Sequence, residues 1–300
     1  MTTRALILRA PGINRDHDAA RACELAGAAP ERVHVNRLAS GELRLDAYAM
    51  LVIPGGFSYG DHLGAGKLLA LDLEHRLGDQ LQRFVADGRP VIGICNGFQV
   101  LVKAGILPGP TDDRRPTTDD RRPTTDDRRP TTDDRPSPPG AAIGYRLSAI
   151  GYRPPSSITL TDNASGRFEC RWVRLAADPA SRCRFTQGLD RPLEVPVAHG
   201  EGRVAARDDA ALAQLSAQGL VALRYLGDDG ADTGYPANPN GSPDNIAGLC
   251  NAQGNVLGLM PHPENAVLPQ QHPRWTREPA RAEGDGLVIF RNAVSYAASL

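Results

Sequence analysis

The chain has 300 residues, with 34 Lys plus Arg against 35 Asp plus Glu and a formal net charge of −1. That balance gives no electrostatic case for nucleic acid or an anionic membrane as partner. The length allows a substantial core, and no apolar stretch reaches membrane-spanning length.

The N-terminus, Met1-Thr2-Thr3-Arg4, runs straight into a short apolar strand, Ala5–Leu8, without the apolar region of a signal peptide. Asp16–Ala28 has helical spacing, Arg32–Val35 and Met50–Ile53 read as strands, Gly66–Asp87 as a helix, and Val91–Ile94 as a strand again. This alternation predicts an α/β fold with a mostly parallel sheet, helices on both faces, and function at the carboxyl ends of the strands.

Residues 111–131 then hold three identical copies of Thr-Asp-Asp-Arg-Arg-Pro-Thr, and 132–138 is a decayed fourth. No apolar residue occupies any position of the repeat, and each unit contains proline. Such a segment cannot bury enough surface to offset its ordering entropy. Residues 110–140 are therefore expected to be a disordered, dispensable insert within a single domain spanning 1–300. Beyond it, Ser157–Leu160, Arg167–Leu175, Leu193–Ala198 and Gly219–Tyr225 read as strands, with Ala210–Ala217 helical. Val256–Met260 is a final strand, and Gly286–Ala298 a closing helix.

Five cysteines (Cys23, Cys95, Cys170, Cys183 and Cys250) are scattered without C-x-x-C spacing, which argues against a zinc ribbon or thioredoxin-type chemistry. No metal site is expected, and a reduced, cytoplasmic protein is. Cys95 stands apart. It ends the strand Val91–Ile94 on a turn of small residues, and Phe98–Lys103 continues as a helix. That is the layout of a nucleophile elbow with sulfur in place of the serine oxygen. Free N–H groups and the helix dipole at such a position favour a thiolate.

A cysteine nucleophile needs a base, and the base needs an orienting group. His262 and Glu264 stand two residues apart after the last strand, where an extended chain points both the same way. Pro54-Gly55-Gly56-Phe57 follows another strand and brings backbone amides near the elbow. The N–H groups of Gly56 and Asn96 are the natural pair of oxyanion donors. A phosphate loop is the rival reading of the nearby Gly64-Ala65-Gly66-Lys67. The required spacing fails at Asp61 and at Leu68.

The residues Gly93-x-Cys95-x-Gly97-x-Gln99, the Gly55-Gly56 turn and His262-x-Glu264 resemble the class I (triad-type) glutamine amidotransferases. Gly55–Asp61, Gly93–Gln99, Ala198-His199-Gly200-Glu201-Gly202, Asn238–Ser242 and Pro261–Glu264 stand in the order found in the glutaminase subunits of phosphoribosylformylglycinamidine synthase. Ala5–Asn14 and Gly166–Glu169 also fit, and the likeness covers nearly the whole chain outside 110–155.

The resemblance implies a flavodoxin-like fold and a Cys95–His262–Glu264 triad, with Gly56 and Asn96 at the oxyanion. It further implies that Gln99, His199, Gly200 and Glu201 line a glutamine pocket. No cofactor is implied in this chain. ATP and Mg are used by a larger synthetase subunit, and a small third protein bridges the two. An amidotransferase of another nucleotide pathway, a Cys-His hydrolase, and a catalytically silent subunit that organises a complex are the alternatives.

Overall fold

The computed structural model describes residues 2–109, 157–227 and 233–300. The 111–138 repeats and the 140–156 segment lie outside the described residues. Runs of apolar β-formers build the centre: Ala5–Leu8, Met50–Ile53 and Val91–Ile94 are buried on both faces, as strands covered by helices must be. They belong to β1 (Arg4–Arg9), β3 (Met50–Ile53) and β4 (Val91–Ile94), with β2 (Ala29–His34) at the edge. The helices of this half are α1 (Asp16–Leu25), α2 (Val35–Ala39), α3 (Lys67–Ala86) and α4 (Asn96–Lys103). The second half carries β5 (Ile158–Thr161), β6 (Glu169–Ala177), β7 (Leu193–His199), β8 (Arg203–Ala206), α5 (Asp209–Ala217), β9 (Val221–Leu226), β10 (Ile246–Cys250), β11 (Val256–Leu259) and α6 (Leu287–Ala298).

Nine strands form one sheet in the order β2-β1-β3-β4-β11-β10-β9-β6-β7, while β5 and β8 pair separately. The first five pair in parallel, and the remaining joins are antiparallel. Strand order reverses between β1 and β3: the chain leaves β1 for β2 in one direction and β3 for β4 in the other. Right-handed crossovers then put α1 and α3 on opposite faces. In keeping with this, α1 packs against α6, and α3 against α4. The crevice at such a reversal, beyond the carboxyl ends of the strands, is where α/β sheets hold their ligands. α3 faces the sheet with Leu69, Leu73, Leu77 and Leu81, one i, i+4 ridge.

Three elements differ from the sequence reading. Val35, read as the end of a strand, begins α2, because His34 Nδ1 accepts from the N–H of Asn36 (3.2 Å) and turns the chain. Strands β8 and β10 were not expected at all. Ile246–Cys250 is a short, wholly buried run with a central glycine, and periodicity does not separate such a run from a buried loop. It is β10 that makes the sheet antiparallel beyond β11.

Candidate active site

Cys95 sits between β4 and α4 with φ +51° and ψ −106°, a conformation that costs a residue with a side chain. Neighbouring glycines permit it. A Cβ on Gly97 would fall 1.9 Å from the Ile53 carbonyl oxygen, and one on Gly93 would meet Leu101 Cδ1 at 2.5 Å. Only glycine lets the first turn of α4 press on β3 and β4 closely enough to bend the chain at Cys95. The Cys95 carbonyl accepts from the N–H groups of Phe98 (3.0 Å) and Gln99 (3.1 Å), which locks the turn. Its thiol is nearly buried and lies 3.7 Å from the carbonyl oxygen of Ala198, at the end of β7.

His262 follows β11 in a proline-flanked segment, and its N–H donates to the Pro196 carbonyl at 2.8 Å. Its Nδ1 lies 2.7 Å from Glu264 Oε1, both residues being buried. Its Nε2 is buried without a hydrogen-bond partner. Gly55 holds His262 beside the cysteine, since a Cβ there would lie 2.8 Å from His262 Cε1 and 3.5 Å from Cys95 Cβ. Burial opposes charge on the ring. Glu264 and the Cys95 sulfur outweigh burial and push the imidazole up to about 10. The arrangement favours the imidazolium form of His262, with Glu264 on one side and the cysteine sulfur on the other.

The two residues expected at the oxyanion flank this cluster in the chain, Gly56 after Gly55 and Asn96 after Cys95. Gly56 takes φ +145° and is hemmed in, so that a Cβ would meet the Gly12 oxygen at 2.7 Å. Asn96 opens α4, where N–H groups have no intrahelical acceptor. Among the described residues neither of these two amides donates to a carbonyl. The Asn96 side chain ties the two loops together. Its oxygen accepts from the Ser58 N–H (3.1 Å), and its nitrogen donates to Gln99 Oε1 (2.9 Å) and Asp61 Oδ1 (3.3 Å).

The structure brings Cys95, His262, Glu264, Gly56 and Asn96 to one spot, with the His199–Glu201 turn beside them. Both polar ends of Gln99 are engaged: it accepts from Asn96 and donates to the Glu201 carbonyl at 2.5 Å. Gln99 thus anchors that turn to the elbow. His199 is buried, with Nδ1 3.1 Å from Asn163 Oδ1; burial and the nearby His262 push its imidazole down to about 4. Gly200 accepts from the Asn163 N–H (2.9 Å) and packs near Phe168. Asn240, within the Asn238–Ser242 stretch, donates to the Gly202 carbonyl (2.9 Å), and Asn163 is a residue that sequence reading does not single out. An asparagine in a turn signals only a turn until its partners are known.

A second cluster, Glu194, His272 and Glu278, groups its ligand atoms within 4.8 Å. Each of its carboxylate oxygens already accepts from Arg274, Arg281 or His272. Arginines at every ligand oxygen fit a structural ion-pair network and oppose a cation. Among the described residues no helix is long and apolar enough to cross a membrane.

A cysteine on an elbow beside a histidine held by a glutamate defines a class: enzymes of acyl transfer through a cysteine nucleophile. Comparison with known proteins narrows it. The family described as CobB/CobQ-like glutamine amidotransferase domain matches residues 2–125 and 145–297. The phosphoribosylformylglycinamidine synthase subunit PurQ of Treponema denticola is 49 % identical over 273 residues, covering 89 % of this chain and 90 % of that protein. The same subunit of Dehalococcoides mccartyi is 43 % identical, over 98 % and 97 %. Among solved structures, that of PurLQS from Thermotoga maritima superposes with a TM-score of 0.64 at 29 % identity, covering 99 % of both chains. The chain belongs to the glutamine amidotransferase family and, within it, to the PurQ subunits.

Proposed function

We propose that the chain is the glutaminase subunit of phosphoribosylformylglycinamidine synthase, supplying ammonia in purine biosynthesis. The observation that carries this reading is the buried Cys95–His262–Glu264 cluster, in a chain with such close PurQ relatives. The Cys95 sulfur attacks the side-chain carbonyl carbon of L-glutamine, and the carbonyl electron pair moves to oxygen. The N–H groups of Gly56 and Asn96 hold that oxyanion. As the adduct collapses, the C–N bond breaks and His262 gives its Nε2 proton to the departing nitrogen, which leaves as ammonia. Glu264 orients the ring and stabilises its charged form. Water, giving a proton back to His262, then adds to the thioester; the C–S bond breaks and glutamate leaves. Gln99, His199, Gly200 and Glu201 form the wall of the glutamine pocket.

None of these steps draws on a cofactor held by this chain. The ammonia passes to a larger synthetase subunit, which uses ATP and Mg to turn formylglycinamide ribonucleotide into the amidine. A small third subunit bridges the two, in the cytoplasm. The test is glutamate release by the purified chain, alone and with the synthetase subunit, against Cys95→Ala. The expected result is a Cys95-dependent rate that rises on adding the partner. No glutaminase activity in either condition, from folded protein, would overturn the reading.

A further inference from the structure

Asn163, in the turn after β5, is buried, and its side-chain amide bridges its own turn and the turn beside the active site. Its amide nitrogen donates to the carbonyls of Arg167 and His199, both at 2.8 Å. Its amide oxygen accepts from the Gly202 N–H at 3.1 Å and faces His199 Nδ1 at 3.1 Å. The reverse orientation would set the oxygen against two carbonyls and the nitrogen against an N–H, so the neighbours determine which way the amide points. An amide oxygen only accepts. His199 Nδ1 therefore carries hydrogen, and Nε2, buried without a partner, is left as the atom whose protonation would charge the ring. Gly202 seals the ring in place, since a Cβ there would lie 2.5 Å from Nδ1.

We infer that Asn163 is a positioning residue that holds His199 as the uncharged Nδ1–H tautomer, leaving His262 as the single cation of the reacting centre. The surroundings of His199 explain the need. His262, clasped by Glu264, faces it from the turn after β11. Glu169 lies directly across the ladder on β6, held by Arg171 and Ser165. Cys95 approaches from the elbow through the carbonyl of Ala198. Protonated His199 would compete with His262 for the same negative charge and weaken the imidazolium that protonates ammonia. The neutral carbonyl of Asn163 supports that second charge far less than a carboxylate would, and burial and His262 oppose it. A carboxylate at position 163 would reverse the effect by stabilising imidazolium at His199.

The catalytic consequence rests on the glutaminase reading; the tautomer does not. The test is long-range ¹H–¹⁵N NMR on the full chain with ¹⁵N-labelled histidine, read together with the pH profile of glutaminase kcat. His199 is expected to show protonated Nδ1 and bare Nε2 from about pH 8 down to about pH 5.5. Finding Nε2–H, or a charged ring at neutral pH, overturns the inference whatever any variant does. In Asn163→Asp the His199 titration is expected to move up into the neutral range. The acid limb of kcat should rise with it by about one pH unit or more. A folded Asn163→Asp with an unchanged His199 titration and pH profile would also overturn it. A wild type with the expected tautomer and no glutaminase activity would sink the proposed function and leave the tautomer assignment standing.

Discussion

His262 Nδ1 lies 2.7 Å from Glu264 Oε1, and this one contact joins two buried side chains separated by a single proline. The pairing occupies Nδ1, leaves Nε2 free of Glu264, and favours the charged ring. Glu264→Gln preserves the shape and removes the charge. It is expected to lower glutaminase kcat by about 10²–10⁴-fold with a much smaller change in KM. Steady-state kinetics with far-UV circular dichroism as the folding control checks this; a kcat near wild type would show that the carboxylate is not needed.

Two glycines of the site separate stability from catalysis. Gly97→Ala would drive a methyl group to 1.9 Å from the Ile53 backbone oxygen, which cannot move without shifting β3. The expected loss is about 3 kcal/mol or more, visible as a lower urea midpoint or as insoluble protein. Gly55→Ala meets the His262 ring at 2.8 Å, a side chain that can swing away. Its thermal midpoint should fall less than that of Gly97→Ala, while kcat falls at least about 10-fold.

The pH dependence of stability carries the signature of His262. Its imidazole lies above the ordinary value of 6.5, at about 10. Between those values the folded chain holds a proton that the unfolded chain releases, so stability falls as pH rises. The contribution is complete below about 6.5 and lost by about 10. Against His262→Gln, denaturant titrations should show the wild type losing stability across that interval and the variant losing less. Parallel slopes would mean that the ring is not held charged.

Asp285 anchors the segment before α6. Its side chain is 1 % exposed, with Oδ1 accepting from Arg191 (2.8 Å) and Oδ2 from Arg281 (2.9 Å) and the Glu194 N–H (3.0 Å). Removing a buried carboxylate from such donors strands them. Asp285→Ala is expected to cost roughly 2–4 kcal/mol, measured by chemical denaturation. Because Glu194 lies on β7, the same variant should loosen the strand that carries Ala198 and His199 and raise KM for glutamine.

The 111–138 repeats are proposed to be dispensable, on composition alone: they hold no apolar residue. Deleting them should leave glutamine-dependent activity within about two-fold of the full chain. Lost activity in a deletion protein that still folds would assign the repeats a role.

Local chemistry carried much of this protein. The strands β3 and β4 and the helix α3 follow from uninterrupted apolar runs and a leucine ridge, and these patterns need no partner to be read. The elbow at Cys95 and the His262-x-Glu264 pair are legible for the same reason, since their geometry is set within a few residues. Tertiary structure decided the rest. That β10 turns half the sheet antiparallel depends on which strands lie beside a short buried run. That Gln99 holds the Glu201 carbonyl, and Asn163 the His199 ring, depends on side chains brought together across 102 and 36 residues. A buried amide looks the same in the sequence whether it meets water, substrate or protein, and only its partners say which. Sequence alone determined the cysteine-bearing turn and the sheet it stands on, whereas folding decided which side chains meet the ring nitrogens of His199 and His262.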